Sequence, residues 1–231
     1  FDFWLSEFKK KAINSGISEK VVKDVMSKAI FLPKVIEYDR FQPEFYEDTK
    51  TYISKRTSTK KVSLGKKFYE KNSKLIDAVE NKFDIERELL LALMGIETNF
   101  GTYVGKMDIL SSLATLSFDK RRSEFFTNEL IIVLKLIDSG IVDSNTLYGS
   151  WAGAFGNFQF MPSTIKNYAL DYNKNSDIEL KKIVDPKTLY GSWAGAFGNF
   201  QFMPSTIKNY AIDFDNDKKI SLKKTQDSFA S

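Results

Sequence analysis

The stretch IERELLLALMGIETNFG, residues 85–101, decides how the rest of the chain is read. Apolar side chains fill nearly every position from Leu89 to Ile96, with none of the alternation that a half-buried strand would show. The run is far too short to span a bilayer. It predicts a helix from Ile85 to about Thr98, with Asp84 as its cap and Gly101 placed to stop it. A helix apolar nearly all round belongs in the middle of a protein. One carboxylate, Glu97, falls where that helix runs out. Apolar neighbours and the negative end of the helix dipole both disfavour its charged form, which moves its pKa toward the range of a general acid.

Working outward, the flanking segments also repeat with helical period. Ser18 is placed to cap a helix whose Val21, Val22, Val25, Met26 and Ala29 share a face. After a polar stretch at residues 56–61, Phe68, Leu75, Ile76 and Val79 form the inward stripe of another. Ile109, Leu110 and Leu113 mark a third helix. Phe125, Phe126, Leu130, Val133, Leu134 and Ile137 mark a fourth, which ends at Gly140. Strand signals are scarce, so residues 1–140 are expected to form an all-α core.

The composition excludes several kinds of chemistry. Among 231 residues there is no cysteine and no histidine. Serine–histidine triads, thiolate nucleophiles and histidine metal sites are therefore ruled out. Acid–base work near neutral pH must fall to a carboxylate, a lysine or a tyrosine with a shifted pKa. The net charge of +4 comes from basic and acidic residues spread along the chain, and its short basic clusters read as solvated helix faces, so no nucleic-acid partner is expected. No signal peptide is visible before Phe1, as in a trimmed mature fragment.

Beyond Gly140 the pattern becomes a tandem repeat. TLYGSWAGAFGNFQFMPSTIKNYA occupies residues 146–169 and recurs unchanged at residues 188–211. Residues 141–182 align with 183–224 without gaps and differ at 10 of 42 positions, eight of which follow the shared 24-mer. Two copies are too few for a solenoid, so duplication of one functional element is the better account. Within a unit, residues 149–156 read as an irregular loop, and Pro162 or Pro204 suits the first turn of a short helix. The expected organisation is thus a helical region at 1–140, a first copy at 141–182 and a second at 183–231.

MGIETNFG (94–101), the following GK (105–106), ILSSLATLSFDKRRSEFF (109–126) and GSWAGAFGNFQFMPSTIKNYAIDFDNDKKISL (191–222) occur in one order. Together they resemble the lytic murein transglycosylase B family over nearly the whole chain. The resemblance implies a lysozyme-like helical fold that cleaves the β-1,4 bond between N-acetylmuramic acid and N-acetylglucosamine in peptidoglycan. It also implies one glutamic acid, matched by Glu97, acting as acid and then as base to form a 1,6-anhydro sugar with help from the substrate's N-acetyl group. Ser150 or Ser192 matches a serine that orients the acid. Gln159 or Gln201 matches a sugar-binding glutamine, and Arg121 and Arg122 match an arginine pair near the peptide stems, with a surface ion pair as the competing reading. Phe158 and its counterpart Phe200 are candidate sugar contacts, against which ordinary core packing competes for Phe158 and Phe160.

The same family carries a calcium loop after this segment. Here Asp213, Asp215, Asp217, the carbonyl of Lys219 and Asp227 supply the oxygens that a hard cation wants. The first copy offers Asp171, Asn173, Asn175, Asp177 and Asp185, with less charge; a solvated acidic loop is the alternative for each. Lys218 and Ser176 stand where the turn glycine is expected. Calcium would be structural, and no cofactor is required for the chemistry. The resemblance further implies a bacterial periplasm or cell envelope, with a removed lipid anchor as the only membrane link. It also implies a later helix, beyond Ser231, carrying a tyrosine of the active-site network. Ser150 lies 53 residues after Glu97 and Ser192 lies 95 after it, so loop closure favours the first copy by about 0.5 kcal/mol. The surplus copy would pack elsewhere or swap into another chain. A weakened wall-binding protein and a calcium-dependent structural module are the alternative functions.

Overall fold

Four helices begin by one device. The side chains of Ser18, Asp48, Ser58 and Asp108 accept hydrogen bonds from the backbone N–H groups of Val21, Thr51, Lys61 and Ser111, each three residues on. The computed structural model describes residues 1–42 and 47–170. Within them lie α1 (Asp2–Asn14), α2 (Glu19–Met26), α3 (Pro33–Arg40), α4 (Thr49–Arg56), α5 (Thr59–Phe83) and α6 (Arg87–Thr98). After these come β1 (Met107–Asp108), α7 (Ile109–Phe118), α8 (Ser123–Asp138), β2 (Tyr148–Gly149) and α9 (Pro162–Tyr168). The expected all-α character holds, with one small antiparallel ribbon that pairs Met107 with Gly149 and Asp108 with Tyr148.

The central helix is α7 rather than α6. Every residue of α7 from Ile109 to Ser117 is buried, and the helix packs on α8 and α3. Its serines, threonine and alanine let neighbours come close, which a count of large apolar residues does not reveal. The α6 helix buries Leu90, Met94, Gly95 and Thr98 but leaves Ala92 and Ile96 exposed. Its apolar outer face therefore opens to solvent.

Two expected boundaries also move. Asp84 does not start α6; it ends α5 in the left-handed conformation (φ 52°), which a short polar side chain tolerates, and α6 begins after Glu86. Asn99, not Gly101, is the residue that leaves the helix, also with positive φ. Phe125, expected inward, is exposed, while Phe126, Leu130, Val133 and Leu134 face the core as predicted.

The helix pair that carries Glu97 is locked by an aromatic wedge. A Cβ at Gly95 would lie 2.7 Å from the Phe100 ring, and one at Gly65 2.9 Å from it, so neither position accommodates a side chain in this packing. Phe68 of α5 stacks on the same ring, with centroids 5.7 Å apart. The chain after α6 is thereby pinned between two helices.

Candidate active site

Glu97 sits in the last turn of α6, and beyond Thr98 come three successive residues of positive φ, namely Asn99 at 49°, Phe100 at 60° and Gly101 at 78°. That reversal is held by Phe100 N–H donating to Met94 O and Tyr103 N–H donating to Thr98 O. Burial pushes the Glu97 carboxyl up to about 7. A carboxyl with that value is close to half protonated at neutral pH, which suits a group that must both give and take a proton.

The neighbouring Thr98 joins α6 to the first copy of the repeat. Its side chain is 1% exposed; Oγ1 donates to Asn157 O at 2.7 Å and accepts from Gly101 N–H at 3.0 Å. A second strut comes from Gln159, whose Nε2 donates to Val104 O at 3.0 Å and Gly156 O at 2.9 Å. Both partners are carbonyls, so the amide nitrogen must face them and Oε1 is the remaining acceptor. Gln159 itself has φ of 52°, a strained conformation for a side-chain-bearing residue.

Ser150 opens this loop. Its N–H donates to Ala154 O and its Oγ accepts from Ala154 N–H, so the oxygen is oriented while its O–H can still donate. The ribbon approaches very closely here. A Cβ on Gly105, where φ is 90°, would stand 2.1 Å from Gly149 O, so only glycine fits. Pro162 begins α9 as expected, and the buried Glu129 of α8 accepts from Ser163 N–H at 2.9 Å in its first turn. Glu129 was not anticipated, although a glutamate between Phe126, Leu130 and Val133 on an apolar face is a legible anomaly.

The structure corrects the reading of Phe158 as a sugar contact. Phe158 is 2% exposed and stacks on Phe160 at 6.0 Å, so core packing wins. Arg121 and Arg122 converge on the buried carboxylate of Asp39, which Arg40 also contacts. Burial raises the Asp39 carboxyl, and the Arg122 and Arg121 guanidinium groups outweigh it and hold the group below its ordinary value. Both arginines therefore make an ion pair, around a buried carboxylate that the sequence did not single out, while about 40% of each arginine side chain stays exposed. Ser192, Gln201, Phe200 and all the calcium-loop residues (Asp171, Asn173, Asn175, Asp177, Asp185, Asp213, Asp215, Asp217, Lys219 and Asp227) lie outside the described residues. Among the described residues no group of three or more acidic side chains could hold a metal ion, and no helix is long and apolar enough to cross a membrane.

The family model described as a transglycosylase SLT domain matches residues 1–185 and, separately, residues 177–231. The chain is 35% identical over 130 residues to membrane-bound lytic murein transglycosylase B of Escherichia coli K12, covering 56% of this chain and 36% of that protein. Among solved structures, SltB3 of Pseudomonas aeruginosa in complex with NAG-NAM-pentapeptide is similar with a TM-score of 0.72 and 28% identity, covering 83% of this chain and 49% of that one. The Escherichia coli lytic transglycosylase Slt35 in complex with calcium is similar with a TM-score of 0.68 and 32% identity, covering 78% and 58%. The chain thus spans about a third to just over half the length of these relatives.

Proposed function

This chain belongs to the transglycosylase SLT domain family, and from that premise we propose that it is a peptidoglycan lytic transglycosylase with Glu97 as its single acid and base. The observation that carries this reading is a carboxyl held near 7 at the end of a helix bonded to the loop of Ser150 and Gln159. The relative solved with NAG-NAM-pentapeptide supports a glycan strand as substrate.

In the first step the protonated Glu97 gives its proton to the glycosidic oxygen as the C1–O bond breaks. The substrate's N-acetyl oxygen shares the positive charge that develops at C1, so a second carboxylate is unnecessary. In the second step the Glu97 carboxylate takes the proton of the muramoyl 6-hydroxyl, whose oxygen closes on C1. The enzyme regains its proton, and the products are a 1,6-anhydro end and a free 4-hydroxyl. Ser150 would donate its O–H to the carboxylate and fix its rotamer, while Gln159 Oε1 would accept from a sugar N–H or O–H.

The acidic and amide side chains at residues 171–185 and 213–227 are of the donor types that suit calcium, in keeping with the relative solved with calcium. Its role would be structural. The reading also places the protein where peptidoglycan is, in a bacterial periplasm or cell envelope.

The test is mass spectrometry of peptidoglycan digested by the parent and by Glu97→Gln. Anhydro-muropeptides should appear with the parent and fall by about 10²–10⁴-fold with the variant, whose fold is retained. Binding of glycan by the parent with no anhydro products would instead establish a wall-binding protein.

A further inference from the structure

Along the sequence the lysines of α5 are interrupted by other residues, but the helix gathers four of them into a row. Lys60, Leu64, Lys67, Lys71 and Lys74 are spaced four, three, four and three residues apart, which on a helix is a single stripe. All four lysines are exposed, and Leu64 among them is 37% exposed. The buried residues of the helix, Gly65, Ile76 and Val79, lie about a third of a turn away, and α5 packs on α6. The helix is kinked at Asn72 (φ −122°, ψ 17°), so Lys60 to Lys71 occupies its straight part, about 17 Å long.

The row is not neutralised from within. Among the described residues none of these four lysines has an ion-pair partner. Asp77 and Glu80 of the same helix are engaged with Arg87, and the exposed Glu70 stands to one side of the stripe. Lys67 with Lys71, and Lys71 with Lys74, are like-charge neighbours that destabilise an isolated helix. Charge that weakens its own helix and meets no carboxylate is complementary to an anion outside the chain.

We propose that this face of α5 docks the protein on a bilayer surface of anionic phospholipid, with the lysines over the headgroup phosphates and Leu64 reaching between them. The side chains themselves select this partner. Lysine is a flexible point charge that answers a diffuse negative potential, whereas geometric recognition of single phosphates favours the fork of arginine, which the stripe lacks. An exposed aliphatic side chain inside a basic row gains apolar contact at a lipid surface and gains little against a sugar–phosphate backbone. A straight row also matches a flat surface. None of these residues belongs to the site around Glu97, so docking goes beyond the proposed cleavage and stands or falls separately. A single acyl chain gives only marginal attachment, and a basic patch is the kind of second signal that makes it stable.

The experiment is co-sedimentation of the whole chain with vesicles of phosphatidylglycerol and phosphatidylcholine, with phosphatidylcholine vesicles and duplex DNA as separate arms. The parent is compared with Lys67→Gln/Lys71→Gln and with Lys20→Gln/Lys23→Gln, which makes the same change of charge at exposed positions of α2. Glutamine keeps the helix propensity of lysine, so the melting temperature should be unchanged or raised. The expected result is parent binding to the anionic vesicles and not to the neutral ones. The α5 pair should weaken that binding about thirtyfold, about fivefold for each lysine, and the α2 pair by less than about threefold. Failure of the parent to bind anionic vesicles, or equal weakening by the two pairs, overturns the docking face. So does duplex DNA bound as tightly as the vesicles through the same lysines, which would mark a general polyanion site. Each of these outcomes leaves the cleavage reading untouched.

Discussion

Glu97 is more comfortable neutral than charged, and that preference has a cost for the fold. Its carboxyl is raised from an ordinary value of 4.5 to about 7 by burial. Between those two values the folded chain holds a proton that the unfolded chain has released, so stability falls as pH rises through this window. Below about 4.5 both states are protonated and the penalty vanishes; above 7 it is complete. Glu97→Gln should therefore be more stable than the parent at about pH 8, on the order of 1–3 kcal/mol for a group that keeps partial access to water. The difference should fade near pH 4.5, a comparison that urea denaturation at the two pH values makes directly. Activity should also decline as pH rises, above about pH 7, where the acid form is lost. A side chain retained for chemistry at the expense of stability is what such a pairing would show.

Among the elements, α3 is tied to the junction of α7 and α8 by one buried carboxylate. Asp39 is 2% exposed and bonded to Arg121 and Arg122, while Arg40 reaches both Asp39 and Asp119. Asp39→Asn removes the charge that three guanidinium groups share but leaves those groups about 40% exposed, so water can take over part of the solvation. The expected loss is about 1–3 kcal/mol, below the 3–5 kcal/mol typical when a fully buried pair is broken. The carboxyl is held below its ordinary 3.8, so the parent's advantage is present above 3.8 and disappears as pH falls through the lower folded value. Melting of parent and variant at neutral and strongly acidic pH should show the gap close. A gap that persists unchanged in acid would mean that packing, not charge, holds α3.

At the scale of the molecule, we propose that the two copies of the identical 24-residue segment compete for one place at the end of α6. The first is bonded there through Thr98, Asn157 and Gln159. A second match of the family model over residues 177–231 fits the idea that the other copy retains the same capacity. Changing Ser150 and Gln159 together to alanine should then leave part of the glycan cleavage, because the second copy can dock with only about 0.5 kcal/mol more loop-closure cost. Changing Ser192 and Gln201 should do little, and changing all four should remove what remains. If the Ser150/Gln159 variant is as inactive as the fourfold one at equal folded concentration, the second copy never serves Glu97.

Features that depend on local order could be read from the amino-acid sequence. Ser18 as a cap, the left-handed Gly140 just beyond the end of α8, the start of α9 at Pro162 and the scarcity of strands all follow from neighbours a few residues apart. So does Glu97 as the one carboxylate where an apolar run stops. Tertiary structure alone decided which apolar helix is central, because Ser111, Ser112 and Thr115 are buried by what surrounds α7 rather than by their own hydrophobicity. It also decided that Phe158 is core and that Asp84 ends a helix instead of beginning one. Asp39 became legible only once Arg121, 82 residues distant, was brought beside it, and Glu129, an anomaly on its own helix face, found its partner only in Ser163, 34 residues distant. A carboxylate's surroundings are set by the folded chain, and spacing along the sequence carries no record of them.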